Sequence, residues 1–156
     1  MENQNPFLEA LNPLFDQLDT HTHLDQAYAA ILAEHPQLGL LFAAHCCMAE
    51  ICNGGFFQLY TNSTGYMAPE AVEGFIALGK PLTANCIAES LKLLPQPYIR
   101  DWQLRVRAIE ALCECKPPKL KPNTFTKLED QFLELFDEEN GSYEEAADGY
   151  VMELDD

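Results

Sequence analysis

The first 79 residues contain no lysine and no arginine, and residues 128–156 contain none either. All nine basic residues lie in 80–127. A chain this poor in positive charge, with a net charge of −16, is a bad partner for nucleic acid, because it would repel phosphate over most of its surface. No apolar run reaches the length of a membrane span. The opening Met-Glu-Asn-Gln-Asn-Pro has neither a basic region nor an apolar core, so no signal peptide is expected and a cytoplasmic location is. No Cys-x-x-Cys pair occurs among Cys46, Cys47, Cys52, Cys86, Cys113 and Cys115, so zinc-site spacing is missing. Reduced thiols are expected, with Cys46, Cys47 and Cys52 acting as small apolar residues. Gly-x-Ser-x-Gly, Walker and His-Glu-x-x-His patterns are also lacking. No cofactor and no catalytic residue is therefore assigned.

What is present is a three-block charge pattern. Residues 1–79 carry nine acids, residues 80–127 carry nine bases against four acids, and residues 128–156 carry twelve acids. Like charges oppose compaction, so the acidity is a candidate for function, with solubility as the competing reason. The apolar fraction of 47% in 156 residues suits one globular domain with a real core.

Hydrophobic spacing predicts an all-α domain, 1–156, of about seven to eight helices. Phe7, Leu8, Leu11, Leu14, Phe15 and Leu18 mark a first helix over 5–19, which Pro13 either kinks or starts. Asp16 and Asp19 fall off its stripe. Leu24, Tyr28, Ile31 and Leu32 mark a second helix, led in by Thr22 or His23, with Asp25 outward. Pro36 opens a third, 36–52, apolar over most of its girth and so central, with His45 as a core histidine. Asn53-Gly54-Gly55 should stop it, leaving 56–60 as a short apolar turn. Further helices are expected over 69–78, from Thr83 to Leu94, and over 98–115. In the last of these, Arg100, Arg105 and Arg107 should form ion pairs with the acidic blocks. The proline-rich 116–122 reads as a loop within the domain. Residues 124–139 should form one amphipathic helix with a Thr126/Glu129 capping box, and with Glu129, Asp130, Glu134, Asp137, Glu138 and Glu139 outward. A Ser142/Glu145 box opens the last helix, whose outer face carries Glu144, Glu145, Asp148 and Glu153.

One stretch gathers turn chemistry, amides and aromatics. Asn53-Gly54-Gly55-Phe56, with Gln58, Tyr60, Asn62 and Gly65, follows Glu50 and precedes Pro69-Glu70-Ala71 and Leu78-Gly79. The bottom-up reading is structural: the glycines admit close helix packing, and Asn53, Gln58 and Asn62 bond the turn backbone. The same residues resemble the core motif of the neisserial DNA-mimic protein family, small acidic helical proteins. That resemblance implies a homodimer that occupies the DNA-binding face of a helix-turn-helix transcription factor and competes with operator DNA. It implies a repressor inhibitor rather than an enzyme. Carboxylates four residues apart on a helix sit about 6 Å apart along its axis, and DNA phosphates advance about 3.4 Å per strand. An array of helix-borne acids can thus approximate a phosphate row. Asp16, Asp19, Asp25, Glu134, Asp137, Glu138, Glu144, Glu145 and Asp148 are the expected contacts. Glu134 with Glu138, Asp130 with Glu134, and Glu145 with Asp148 are the pairs with usable spacing. The alternatives are a metal-dependent enzyme built on His21, His23 and carboxylates, and a plain acidic interaction module.

Overall fold

A computed structural model describes residues 5–19 and 23–156; the side chain of Asp19 is outside the description. Eight α-helices follow in order, with no strand among the described residues: α1 (Pro6–Asp19), α2 (Leu24–Glu34), α3 (Pro36–Thr61), α4 (Ala68–Ala77), α5 (Pro81–Lys92), α6 (Trp102–Glu114), α7 (Thr126–Leu135) and α8 (Tyr143–Leu154). Short 3-10 turns at Ser63–Met67 and Pro122–Phe125 link α3 to α4 and α6 to α7. The fold is all-α, as the spacing of apolar residues predicts.

Helix α3 is the axle. It packs against α1, α2, α4, α6, α7 and α8. Its apolar girth gives the core Leu41, Phe42, Ala43, Ala44, Cys47, Ile51, Phe56, Leu59 and Tyr60, all buried. Phe56 meets Phe132 edge-on and also contacts Phe125 and Tyr60, which joins α3 to α7. Tyr60 buries its hydroxyl as well. Ser90 Oγ donates to the Ile87 carbonyl, so the Tyr60 hydroxyl donates to Ser90, at 2.5 Å.

The sequence reading stops this helix too early. Gly54 and Gly55 break it without ending it, and helix resumes through 56–61. Gly55 sits at φ 77°, ψ −172°, a conformation open only to glycine, and this corner turns Phe56 inward. With both pieces counted, α3 is 26 residues long and apolar enough to cross a bilayer. By length and composition it passes for a membrane span, against the expectation that no stretch would. In this fold the same apolar girth is covered by six other helices.

Two cations are buried, and both bond main-chain oxygens. Arg105 is 2% exposed. Its guanidinium donates to the carbonyls of Tyr60 (2.8 Å), Asn62 (2.7 Å), Arg100 (2.7 Å) and Ile99 (3.2 Å). It thereby caps the open C-terminal end of α3, where backbone carbonyls lack helical partners. Lys80 is fully buried, and its Nζ donates to the carbonyls of Glu139 (2.6 Å) and Gly141 (2.7 Å). The expectation that the arginines of 98–115 pair with acids holds for Arg100, which meets Glu70 at 2.8 Å. It fails for Arg105 and for the exposed Arg107, neither of which has an ion pair among the described residues. That helix also starts later than expected, at Trp102, because the Asp101 carboxylate caps it by accepting from the Leu104 amide.

A Cβ on Gly55 would stand 2.2 Å from Glu129 Oε1, whereas one on Gly79, at φ 76°, would meet nothing within 4 Å. Gly79→Ala should therefore cost only backbone strain, about 1 kcal/mol. Gly55→Ala should cost clearly more, roughly 3 kcal/mol, because its backbone conformation suits glycine alone and the added Cβ pushes the Glu129 carboxylate off the Phe56 amide. Urea unfolding of the two variants side by side checks the ordering; equal costs would remove the special role of the Gly55 corner.

Candidate partner-binding surface

Helix α1 lies along α8, and α2 packs on α1. The first and last acidic blocks, far apart in sequence, are therefore neighbours in space. The Phe7 amide donates to Asp148 Oδ1 at 3.1 Å across this seam. His45 of α3 lies beneath it, with Nδ1 3.1 Å from the Tyr143 hydroxyl and its ring against Phe7 and Phe15. His45 is half-buried rather than in the core, and burial pushes its pKa down, which favours the neutral ring.

The expected contact residues differ in what the fold asks of them. Asp16 on α1, Asp25 in the first turn of α2, Glu134 on α7, Glu138 beyond it, and Glu144 and Glu145 in the first turn of α8 are all exposed. Asp137 is exposed but accepts from the Tyr143 amide at 2.9 Å. Asp148 is half-buried and holds α1 through Phe7. The Asp19 side chain and His21 lie outside the described residues. Among the described residues no three metal-ligating side chains converge, and His23 is exposed. Ion pairs among the described residues number two, Lys92–Glu89 and Arg100–Glu70, so no base pairs with any of the acids just named.

The acids of 134–139 do not form the single helical ladder expected of them. Helix α7 ends at Leu135, and 136–140 are turns, so Glu134 and Glu138 do not share a helix. The reason is tertiary. Glu139 reaches across to α5, where its carboxylate accepts from the amides of Leu82 (2.8 Å) and Thr83 (2.7 Å) and from Thr83 Oγ1 (2.8 Å). It caps the N-terminus of α5, which therefore starts at Pro81 rather than at the expected Thr83. Asn140 Nδ2 donates to the Gly79 carbonyl, and Lys80 closes the clasp from the other side. The expected Thr126/Glu129 box is likewise absent. Glu129 turns inward, and its Oε1 accepts from the Phe56 amide at 3.0 Å, the donor freed by the Gly55 corner. The second box is half realised: Ser142 Oγ accepts from the Glu145 amide at 3.1 Å.

The motif stretch is built around one carboxylate. Glu50 accepts from Gln58 Nε2 (2.7 Å), Asn62 Nδ2 (3.0 Å) and Thr64 Oγ1 (3.0 Å), and Asn53 Nδ2 donates to Gln58 Oε1 at 3.2 Å. Glu50 therefore fastens the resumed end of α3 and the following 3-10 turn to the body of the helix. Gly65 is wedged there, since a Cβ would stand 2.7 Å from the Leu59 carbonyl and 2.8 Å from the Arg105 guanidinium. The structural reading of Asn53, Gln58 and Asn62 shifts in detail: they bond side chains more than backbone.

Glu139 gives a pH signature. Burial pushes its carboxyl pKa up, but the two amides, the Thr83 hydroxyl and Lys80 outweigh that and hold it below the usual carboxylate value. A depressed folded pKa means the stabilisation is whole above the unfolded value of about 4.5 and is lost as pH falls through the folded value. Glu139→Gln should cost about 1 kcal/mol at neutral pH, the scale of a lost cap, and the gap to wild type should narrow in acid. Urea unfolding at neutral pH and below the unfolded carboxyl value tests this; a gap that widens in acid would contradict it.

A family model described as DMP19-like protein matches residues 32–153, from the last turn of α2 through nearly all of α8. The match leaves α1 and most of α2 outside. Neither the curated proteins nor the solved structures contain a match.

Proposed function

The chain belongs to the DMP19-like family, DNA mimic protein 19, and from that premise we propose that it inhibits a helix-turn-helix transcription factor by occupying its DNA-binding surface. The observation that carries this reading is the set of exposed carboxylates on α1, α2, α7 and α8 left unpaired by any described base, in a chain of net charge −16. A basic surface made to contact phosphates is complementary to such a face. The acids act as phosphate substitutes, and release of operator DNA follows from competition. A homodimer, which the family resemblance implies, would present the acidic face twice. The site of action is the cytoplasm, and no catalytic step is involved.

Capture from a cytoplasmic extract on the immobilised chain at low salt should retain a DNA-binding protein. In a gel-shift assay, adding the free chain should then release that protein's operator DNA. Reversing Asp16, Glu144 and Glu145 to Lys together should weaken the release at least about tenfold, since charge reversal in an electrostatic interface costs several kcal/mol in total. Operator DNA that stays bound at low salt in excess chain would sink the proposal. Undiminished release by the triple variant would move the contact surface elsewhere.

A further inference from the structure

A cavity of about 630 Å³ opens between the start of α2, the 3-10 turn Ser63–Met67 and the start of α6. Its volume falls within the range of small-ligand sites. None of the residues that carry the family resemblance lines it, although Ser63, Tyr66, Arg100, Asp101, Trp102 and Gln103 fall within the family match. Trp102 forms part of the wall and is 50% exposed. Its ring is fixed, because Nε1 donates to the Thr61 carbonyl at 2.8 Å. With that donor used, the indole offers the cavity only carbon surface. Leu18 and Leu24 supply apolar wall, and the exposed carboxylates of Asp25 and Asp101 line the same space. Asp101 uses one oxygen on the Leu104 amide, and Asp25 has no bonded partner among the described residues. The cation already there is spoken for: Arg100 bonds Glu70 and the Tyr66 carbonyl, and lies over the Tyr66 ring at 5.2 Å.

We propose that this cavity receives a guanidinium group, an arginine side chain of the DNA-binding partner, stacked on Trp102 between Asp25 and Asp101. A guanidinium is flat, keeps its charge, stacks on indole and bonds carboxylates through several N–H groups at once. Its aliphatic stem fits the leucine wall. With Arg100 already paired to Glu70, the two carboxylates make a cation the better fit than a phosphate or other anion. An ammonium fits less well, being compact and strongly hydrated. The identity of the partner in this assignment rests on the function proposed above, while the chemistry of the cavity stands apart from it.

Trp102 is the only tryptophan in the chain, so its emission and its single indole N–H resonance report on this cavity alone. The probe is N-acetyl-arginine amide, titrated into the chain without DNA or partner. A saturable change in both signals is expected, about threefold tighter than for N-acetyl-lysine amide. Asp25→Asn and Asp101→Asn should each weaken it about fivefold, the upper end for an exposed ion pair. Asparagine keeps the cap of α6, so Asp101→Asn leaves the fold intact. Glu144→Gln with Glu145→Gln, away from the cavity, should change it less than about twofold, which separates the site from the general attraction of an acidic protein. No saturable change in either signal, or equal weakening by the cavity pair and the α8 pair, overturns the assignment. If the chain binds the arginine probe yet fails to free operator DNA, the function proposal falls and the cavity remains. If it frees DNA without binding the probe, only the cavity assignment falls.

Discussion

The Arg105 guanidinium donates to four carbonyl oxygens, two at the end of α3 and two in the segment leading into α6. A buried carbonyl left without a donor costs about 1–3 kcal/mol, so one side chain stabilises a junction that would otherwise be among the most expensive in the fold. Lys80 does the same for the turn before α8. Among the described residues neither cation forms an ion pair, although Lys80 lies close enough to Glu139 to favour its charge. The fold satisfies its backbone with the few positive charges it has, and the outer carboxylates keep theirs.

Inward acids complete the pattern. Glu50, Glu129 and Glu139 each accept hydrogen bonds from amides or side-chain donors, so they serve as acceptors that hold elements together. Asp137 and Asp148 add single bonds of the same kind. Among the described residues, the remaining acids on α1, α2 and α8 have no basic partner. Mutual repulsion among them has to be offset by the aromatic core around Phe42, Phe56, Phe75 and Phe132. The family match begins at residue 32, so α1, with its exposed Asp16, lies outside it and packs against α8, α2 and α3.

Much of the scaffold was legible in advance. Period and prolines located α3, and the Asn-Gly-Gly stop located its corner, though the helix beyond it was missed because three glycine-and-amide residues normally end one. Arg105 could have been found: it stands on the stripe with Ile109 and Leu112, at i+4 and i+7, where a solvated arginine has no place. Glu129 stands on the stripe of Phe125, Phe132 and Phe136 by the same test. The end of α7 at Leu135 was not legible, because no glycine or proline marks it. It is set by bonds from Asp137 to Tyr143 and from Glu139 to α5, which no local pattern encodes. The Trp102 cavity was equally hidden, since its walls come from three separated segments.

The salt dependence of the complex between this chain and the DNA-binding protein it captures tests the central claim most directly. If unpaired carboxylates stand in for phosphates, log Kd should rise steeply with log salt, with affinity falling at least about tenfold between about 50 and 200 mM, as it does when a protein makes several phosphate contacts. An affinity that stays flat across that range would mean that the complex is held by apolar contact, and that the acidic face is only the solvated exterior of a helical protein.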